Sequence, residues 1–185
     1  LDYAVDLGII KTNPFQDVKI DAKRMFRVVR KKTDSTQVFL KDELPVIHDL
    51  ALKDFHSGTR KKRRLAPLAV LFQFQTGIRI GELCVCQFDD IENEDFIHIQ
   101  RMYRCETGEV VEHTKTLCGD RLVFLTEQAK DYIEMARRFQ QENGIDSRYI
   151  FSDDGEPLSK SSINYLYGKY CKEAGITHKS SHKAR

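Results

Sequence analysis

Thr76-Gly77-Ile78-Arg79-Ile80-Gly81-Glu82-Leu83 is the stretch of this 185-residue chain from which the fold can be worked outward. Upstream of it Leu65, Leu68, Ala69 and Phe72 recur at i, i+3, i+4 and i+7, the period of a buried helix, so Thr76-Gly77 marks where that helix stops. Arg79 then opens a second, short helix. A guanidinium held beside a tight turn, with Glu82 three residues on to orient it, suits bidentate recognition of a phosphate or carboxylate. The same spacing also fits a plain surface ion pair, worth roughly a few tenths of a kcal/mol. Within the octet both readings stand.

Length allows one full domain and part of another. An apolar fraction of 41% is enough for a core, and 31% charged residues describe a soluble chain. No apolar run approaches the roughly 20 residues that span a bilayer, and no signal-peptide pattern opens the sequence. The five cysteines are odd in number and lack paired CxxC spacing, which points to reduced, inert thiols and away from a disulfide framework or a zinc site. The net charge of +2 is uninformative, but its distribution is not. Lys23, Arg24, Arg27, Arg30, Lys31 and Lys32 crowd one early segment and Arg60-Lys61-Lys62-Arg63-Arg64 forms a second basic run, while acidic residues dominate from Asp89 to Asp95. Such runs are either solvated faces or tracks for a phosphate backbone.

From the N-terminus, residues 1–8 predict the last turns of a helix stopped by Gly8, and Asn13-Pro14 a loop. The polar run Lys32-Thr33-Asp34-Ser35-Thr36 reads as an interdomain linker, dividing the chain into 1–36 and 37–185. Beyond it, Leu44, Ile47, His48 and Ala51 form a helical stripe, with Pro45 tolerable in a first turn. Alternation over Phe96–Tyr103, a return from Val110 to Thr114 after Thr107-Gly108, and Arg121–Leu125 after a turn at Leu117-Cys118-Gly119-Asp120 predict three short antiparallel strands. Ala129, Tyr132, Ile133, Ala136 and Phe139 mark an amphipathic helix with Thr126 as N-cap and Gly144 past its end. Ser159 caps another, striped by Ile163, Leu166, Tyr167 and Tyr170 and ended by Gly175. The predicted fold class is α+β, mostly helical, with a small three-stranded antiparallel sheet.

Two further spots carry chemistry-bearing residues. In His113-Thr114-Lys115-Thr116 a lysine at a hairpin end can reach outward from a rigid support. In His182-Lys183-Ala184-Arg185, Ser180-Ser181 can cap a new helix that sets His182 and Arg185 one turn apart on one face. The order of the three motifs, Arg79 in a TGxRxGEL turn, Lys115 in a TKT hairpin and a terminal HxxR, resembles the catalytic domain of the tyrosine recombinases, the phage-integrase family. The resemblance covers about Val38 to Arg185 and includes Gln87-Phe88-Asp89-Asp90-Ile91, Arg121-Leu122-Val123-Phe124-Leu125 and the segment from Phe151 to Ile176. Integrases of phages and conjugative transposons look closest. Residues 1–14 resemble the close of the preceding core-binding domain.

This resemblance implies DNA cleavage by a tyrosine hydroxyl, through a 3′-phosphotyrosyl link, without metal or other cofactor. Arg79 and Arg185 match the family's two arginines, which neutralise charge on the non-bridging oxygens, and the planar, permanently charged guanidinium suits that task. Lys115 matches the lysine that protonates the leaving 5′ oxygen, His182 the histidine that supports proton transfer, and Glu82 the acidic residue that orients the first arginine. The partner implied is double-stranded DNA, met by Lys23, Arg24, Arg30, Lys31, Lys32, Thr114 and Arg121, with the full-length protein a cytoplasmic homotetramer on DNA. The family's nucleophilic tyrosine follows the HxxR. Tyr132, Tyr149, Tyr165, Tyr167 and Tyr170 are not in that place, so the nucleophile is expected beyond Arg185 and the catalytic domain is expected to be truncated. Lys41 departs from the usual helix-capping Ser or Thr. A noncatalytic DNA-binding relative of the same fold, or a helical protein-interaction module, is the alternative reading.

Overall fold

The computed structural model describes residues 1–19, 33, 36–58, 62–104, 107–114 and 119–184. Lys23, Arg24, Arg27, Arg30, Lys31, Lys32, Lys115 and Arg185 lie outside the described residues, as do most of the expected linker and Leu117-Cys118 of the second turn. The chain divides into two compact units, Leu1–Lys32 and Thr33–Arg185.

In the first unit helix α1 (Asp2–Asp6) ends at Gly8, whose φ of 69° is the left-handed conformation that favours glycine. The Asn13 side chain then shapes the loop before Phe15, accepting from the Phe15 N–H at 2.9 Å and donating to Asp2 at 2.8 Å.

The second unit is built around α3 (Ala66–Thr76), in which every residue from Ala66 to Gln73 is buried. A helix that is apolar all round belongs at the centre of a helical layer. Against it pack α2 (Glu43–His56), α5 (Glu127–Glu142) and α6 (Lys160–Glu173). The two predicted caps form: Thr126 Oγ1 accepts from the Ala129 N–H and Ser159 Oγ from the Ser162 N–H, both at 3.2 Å. The apolar stripes of α5 and α6 are buried as their spacing predicts.

In α2 the stripe is rotated. Ile47, Ala51 and Asp54 face inward, whereas Leu44 is 38% exposed. The polar contacts of two carboxylates account for the rotation. Asp54 takes hydrogen bonds from Tyr170 Oη and Lys169 Nζ, both at 2.9 Å, and at the N-terminal end Glu43 turns inward onto Lys179 Nζ and the Leu40 N–H. That carboxylate closes the helix start, where Asp42, and not Lys41, is the N-cap residue and makes no side-chain cap bond.

The small sheet has three antiparallel strands in the order β1 (Ile91–Glu92), β2 (Phe96–Ile99) and β5 (Arg121–Phe124). The strand expected to run on through Tyr103 breaks after Ile99, and β3 (Met102–Arg104) pairs instead with β4 (Glu109–Val111) in a separate ribbon. The break has a polar cause. Gln100 and Arg101 both donate to Oδ1 of buried Asp90, which also receives the Gln87 N–H on Oδ2. An arginine drawn to a buried carboxylate cannot continue the alternation of Ile97 and Ile99.

Part of the second basic run serves the fold as well. Arg63 Nη1 meets Asp154 Oδ1 at 3.1 Å and the Arg64 guanidinium lies over the Phe139 ring at 4.6 Å.

Candidate active site

Gly77 ends α3 in the left-handed conformation, φ 63°, with its N–H on the Gln73 carbonyl at 2.8 Å. Gln73 itself is buried, accepts from Tyr167 Oη at 2.9 Å and donates to the Ile78 carbonyl at 2.9 Å. The backbone just before Arg79 is therefore held by a side chain from the helix it has left. Arg79 is the N-cap residue of α4 (Ile80–Leu83), and Glu82 at the third position accepts the Arg79 N–H on Oε2 at 2.9 Å, which is half of a capping box. The same carboxylate binds Arg79 Nη1 through Oε1 at 2.8 Å.

Of the two readings of that pair, burial removes the surface one, since Glu82 is only 3% exposed. The carboxylate is also shared. Arg121 Nη2 donates to Oε2 at 2.9 Å and Nη1 to Oε1 at 3.3 Å, while Nη1 also reaches the Gly119 carbonyl at 2.8 Å. Burial raises the Glu82 pKa, but the hydrogen bonds from Arg121 and from the backbone and guanidinium of Arg79 outweigh it and hold the carboxyl below its ordinary range. Gly119 in turn sits so close to Thr114 that a Cβ there would lie 2.2 Å from Thr114 Oγ1, so only glycine fits. Thr114 is itself buried.

Arg79, Glu82 and His182 all line one cleft of about 620 Å³. His182 is exposed and stands on a 3-10 helix, Ser181–Ala184, that is fastened at three places. The fully buried Lys179 donates to Glu43 and lies 5.3 Å from the Phe39 ring, Ser181 Oγ meets Asn164 at 3.3 Å, and Lys183 Nζ donates to Gln37. Burial raises the Glu43 pKa, yet the Lys179 ammonium and the Leu40 N–H bring it below the usual carboxylate range.

Of the residues singled out in the sequence, Arg79, Glu82 and His182 thus share one cleft, Arg121 joins them through Glu82, and Thr114 joins through Gly119. Tyr103, Lys160 and His178 also line the cleft and escaped the sequence reading. Tyr103 was legible only as the end of an alternating strand, Lys160 only as the first residue after the Ser159 cap, and His178 falls in no motif. Tyr132, Tyr149, Tyr167 and Tyr170 are all buried. Among the described residues no group of three or more His, Cys, Asp or Glu side chains is placed to hold a metal, and Cys84, Cys86 and Cys171 are buried free thiols. Nor is any helix among them long and apolar enough to cross a membrane.

The model of the phage integrase family matches residues 37–185, and the chain belongs to that family. Among solved structures it is similar to the Tn1549 transposon integrase in complex with transposon right-end DNA, with a TM-score of 0.68 at 17% identity over 99% of this chain and 59% of that one. It is similar also to a lambda integrase dimer bound to a COC′ core site, with a TM-score of 0.54 at 17% identity over 100% and 56% of the two chains. A third is the XerA recombinase, with a TM-score of 0.55 at 20% identity over 80% and 48%. At these identities the likeness is one of fold, that of the tyrosine recombinase catalytic domain. The chain spans at most 59% of the length of these three proteins. No curated protein matches it in a sequence comparison.

Proposed function

We propose that residues 37–185 form most of the catalytic domain of a site-specific DNA recombinase of the integrase type, and that residues 1–36 are the end of a core-binding domain with its basic linker. In this reading a tyrosine outside the 185 residues attacks a DNA phosphodiester. Its oxygen bonds to phosphorus, the bond to the 5′ oxygen breaks, and the 3′ end is left on the enzyme; rejoining is the reverse. Arg79 and Arg185 neutralise the non-bridging oxygens as charge grows on them, Lys115 protonates the departing 5′ oxygen, and His182 assists proton transfer beside the phosphate. Charge is supplied by guanidinium, so no metal is required.

The observation that carries the proposal is that Arg79 and His182, from distant parts of the chain, line one cleft in which a buried carboxylate holds the arginine. Arg79 Nη2 and Nε have no partner among the described residues, which leaves the guanidinium donors for an anion. The Tn1549 and lambda integrase structures were solved on DNA, and another lambda integrase structure is a tetramer on a Holliday junction. By analogy the partner here is double-stranded DNA and the assembly a homotetramer; a DNA substrate of this kind places the proposed activity in the cytoplasm. Lys23, Arg24, Arg30, Lys31 and Lys32 supply backbone contacts in this scheme.

The test is to incubate the full-length protein with a nicked suicide substrate in the presence of a chelator and look for a denaturant-resistant protein–DNA adduct. The expected result is an adduct that forms without divalent metal. Absence of the adduct, or its dependence on magnesium, overturns the proposal.

A further inference from the structure

Resting on that reading, we propose that Arg121 is a positioning residue for Arg79 and not a contact to DNA: by holding the Glu82 carboxylate it leaves the Arg79 guanidinium's charge uncompensated for the phosphate.

The geometry first excludes the simpler role. Arg121 commits both terminal nitrogens inward, to Glu82 Oε1 and Oε2 and to the Gly119 carbonyl. A guanidinium turned on a carboxylate two-pronged, with a third acceptor on the same face, is a buttress. A backbone-tracking arginine extends its fork outward.

Charge counting supplies the function. Arg79 and Glu82 alone make a neutral pair, which offers a phosphate little net attraction. With Arg121 the three groups carry a net charge of one positive unit around a carboxylate that is itself sealed from water. The four hydrogen bonds from Arg79 N, Arg79 Nη1 and the two Arg121 nitrogens fill the acceptor positions of that carboxylate. Glu82 therefore cannot swing to follow Arg79, and Arg79 keeps the N–H groups of Nη2 and Nε in reserve. Through the Gly119 carbonyl, and the tight fit of Gly119 on Thr114, Arg121 also ties this carboxylate to the two residues that flank 115–118 in sequence.

The experiment compares wild type, Arg121→Gln and Arg121→Lys in the full-length protein, reading single-turnover cleavage of the nicked substrate at saturating DNA and the salt dependence of DNA affinity. Arg121→Gln is expected to slow saturated cleavage by about 10–100-fold, while the slope of log K against log salt stays as in wild type. Arg121→Lys, which restores the charge without the fork, recovers part of the rate. In Arg121→Gln the acid limb of the pH–rate profile moves to higher pH, because burial then acts on Glu82 with less opposition. If Arg121→Gln does not fold by circular dichroism, the same three readouts on Arg121→Lys decide the matter, with a smaller rate loss expected. A salt slope reduced by about 0.9 with saturated cleavage intact makes Arg121 a phosphate contact and overturns the inference. A wild type that forms no adduct sinks the proposed function, whereas a cleaving wild type matched in rate by both variants sinks only this inference.

Discussion

Replacing Glu82 by glutamine tests the element on which the cleft rests. The native carboxylate receives four hydrogen bonds from two arginines while nearly excluded from water. The amide keeps one acceptor oxygen and turns an NH₂ group toward donors, so two guanidinium groups remain side by side without their counter-charge. Breaking a buried ion pair from one side costs about 3–5 kcal/mol. Here the arginine side chains are 37% and 28% exposed, so water recovers some of that and about 2–3 kcal/mol is expected near neutral pH. For a chain of this size that lowers the melting temperature by roughly 4–12 °C.

The sign of the pH dependence follows from the depressed carboxyl. Its stabilising effect is complete above the ordinary value of 4.5 and is lost as pH falls through the lower native value. Glutamine does not titrate, so the gap between wild type and Glu82→Gln narrows in acid. Thermal melts followed by circular dichroism at about pH 7 and about pH 3 measure both effects. A difference below about 2 °C at neutral pH, or one that is unchanged in acid, refutes the reasoning.

Two other substitutions are informative. Arg79→Lys keeps the charge but loses the planar fork, and is expected to leave the melting temperature within about 2 °C while slowing cleavage about 100-fold or more; near-normal single-turnover cleavage would remove Arg79 from the site. Lys179→Ala empties a fully buried position and strands Glu43, so a loss of about 2–4 kcal/mol in denaturant unfolding is expected, with Lys179→Met recovering the packing share. Equal losses for the two variants would mean that packing plays no part.

Much of the local structure was legible because its causes are local. Thr126 and Ser159 cap their helices through bonds that span three residues, Gly77 ends α3 where a left-handed residue is needed, and the stripes of α5 and α6 follow from helical period alone. Arg79, Glu82 and His182 were legible for a related reason, since each sits in a short motif whose residue types fit one chemistry. Where expectation and structure part, a polar side chain has found a partner that no period encodes. Asp90 draws Arg101 and splits the expected strand; Asp54 and Glu43 turn the stripe of α2.

The sequence by itself determined the main helices, the caps at Thr126 and Ser159, the family and part of the candidate site. Only the tertiary structure decided that Arg79 and His182 face one cleft, that Glu82 is sealed and shared, that Arg121 turns inward, and that Tyr103 and Lys160 stand beside them. The physical reason is reach. Apolar burial repeats along the chain and can be read from spacing, whereas a long charged side chain chooses its partner through space, and that choice appears only when distant segments have packed.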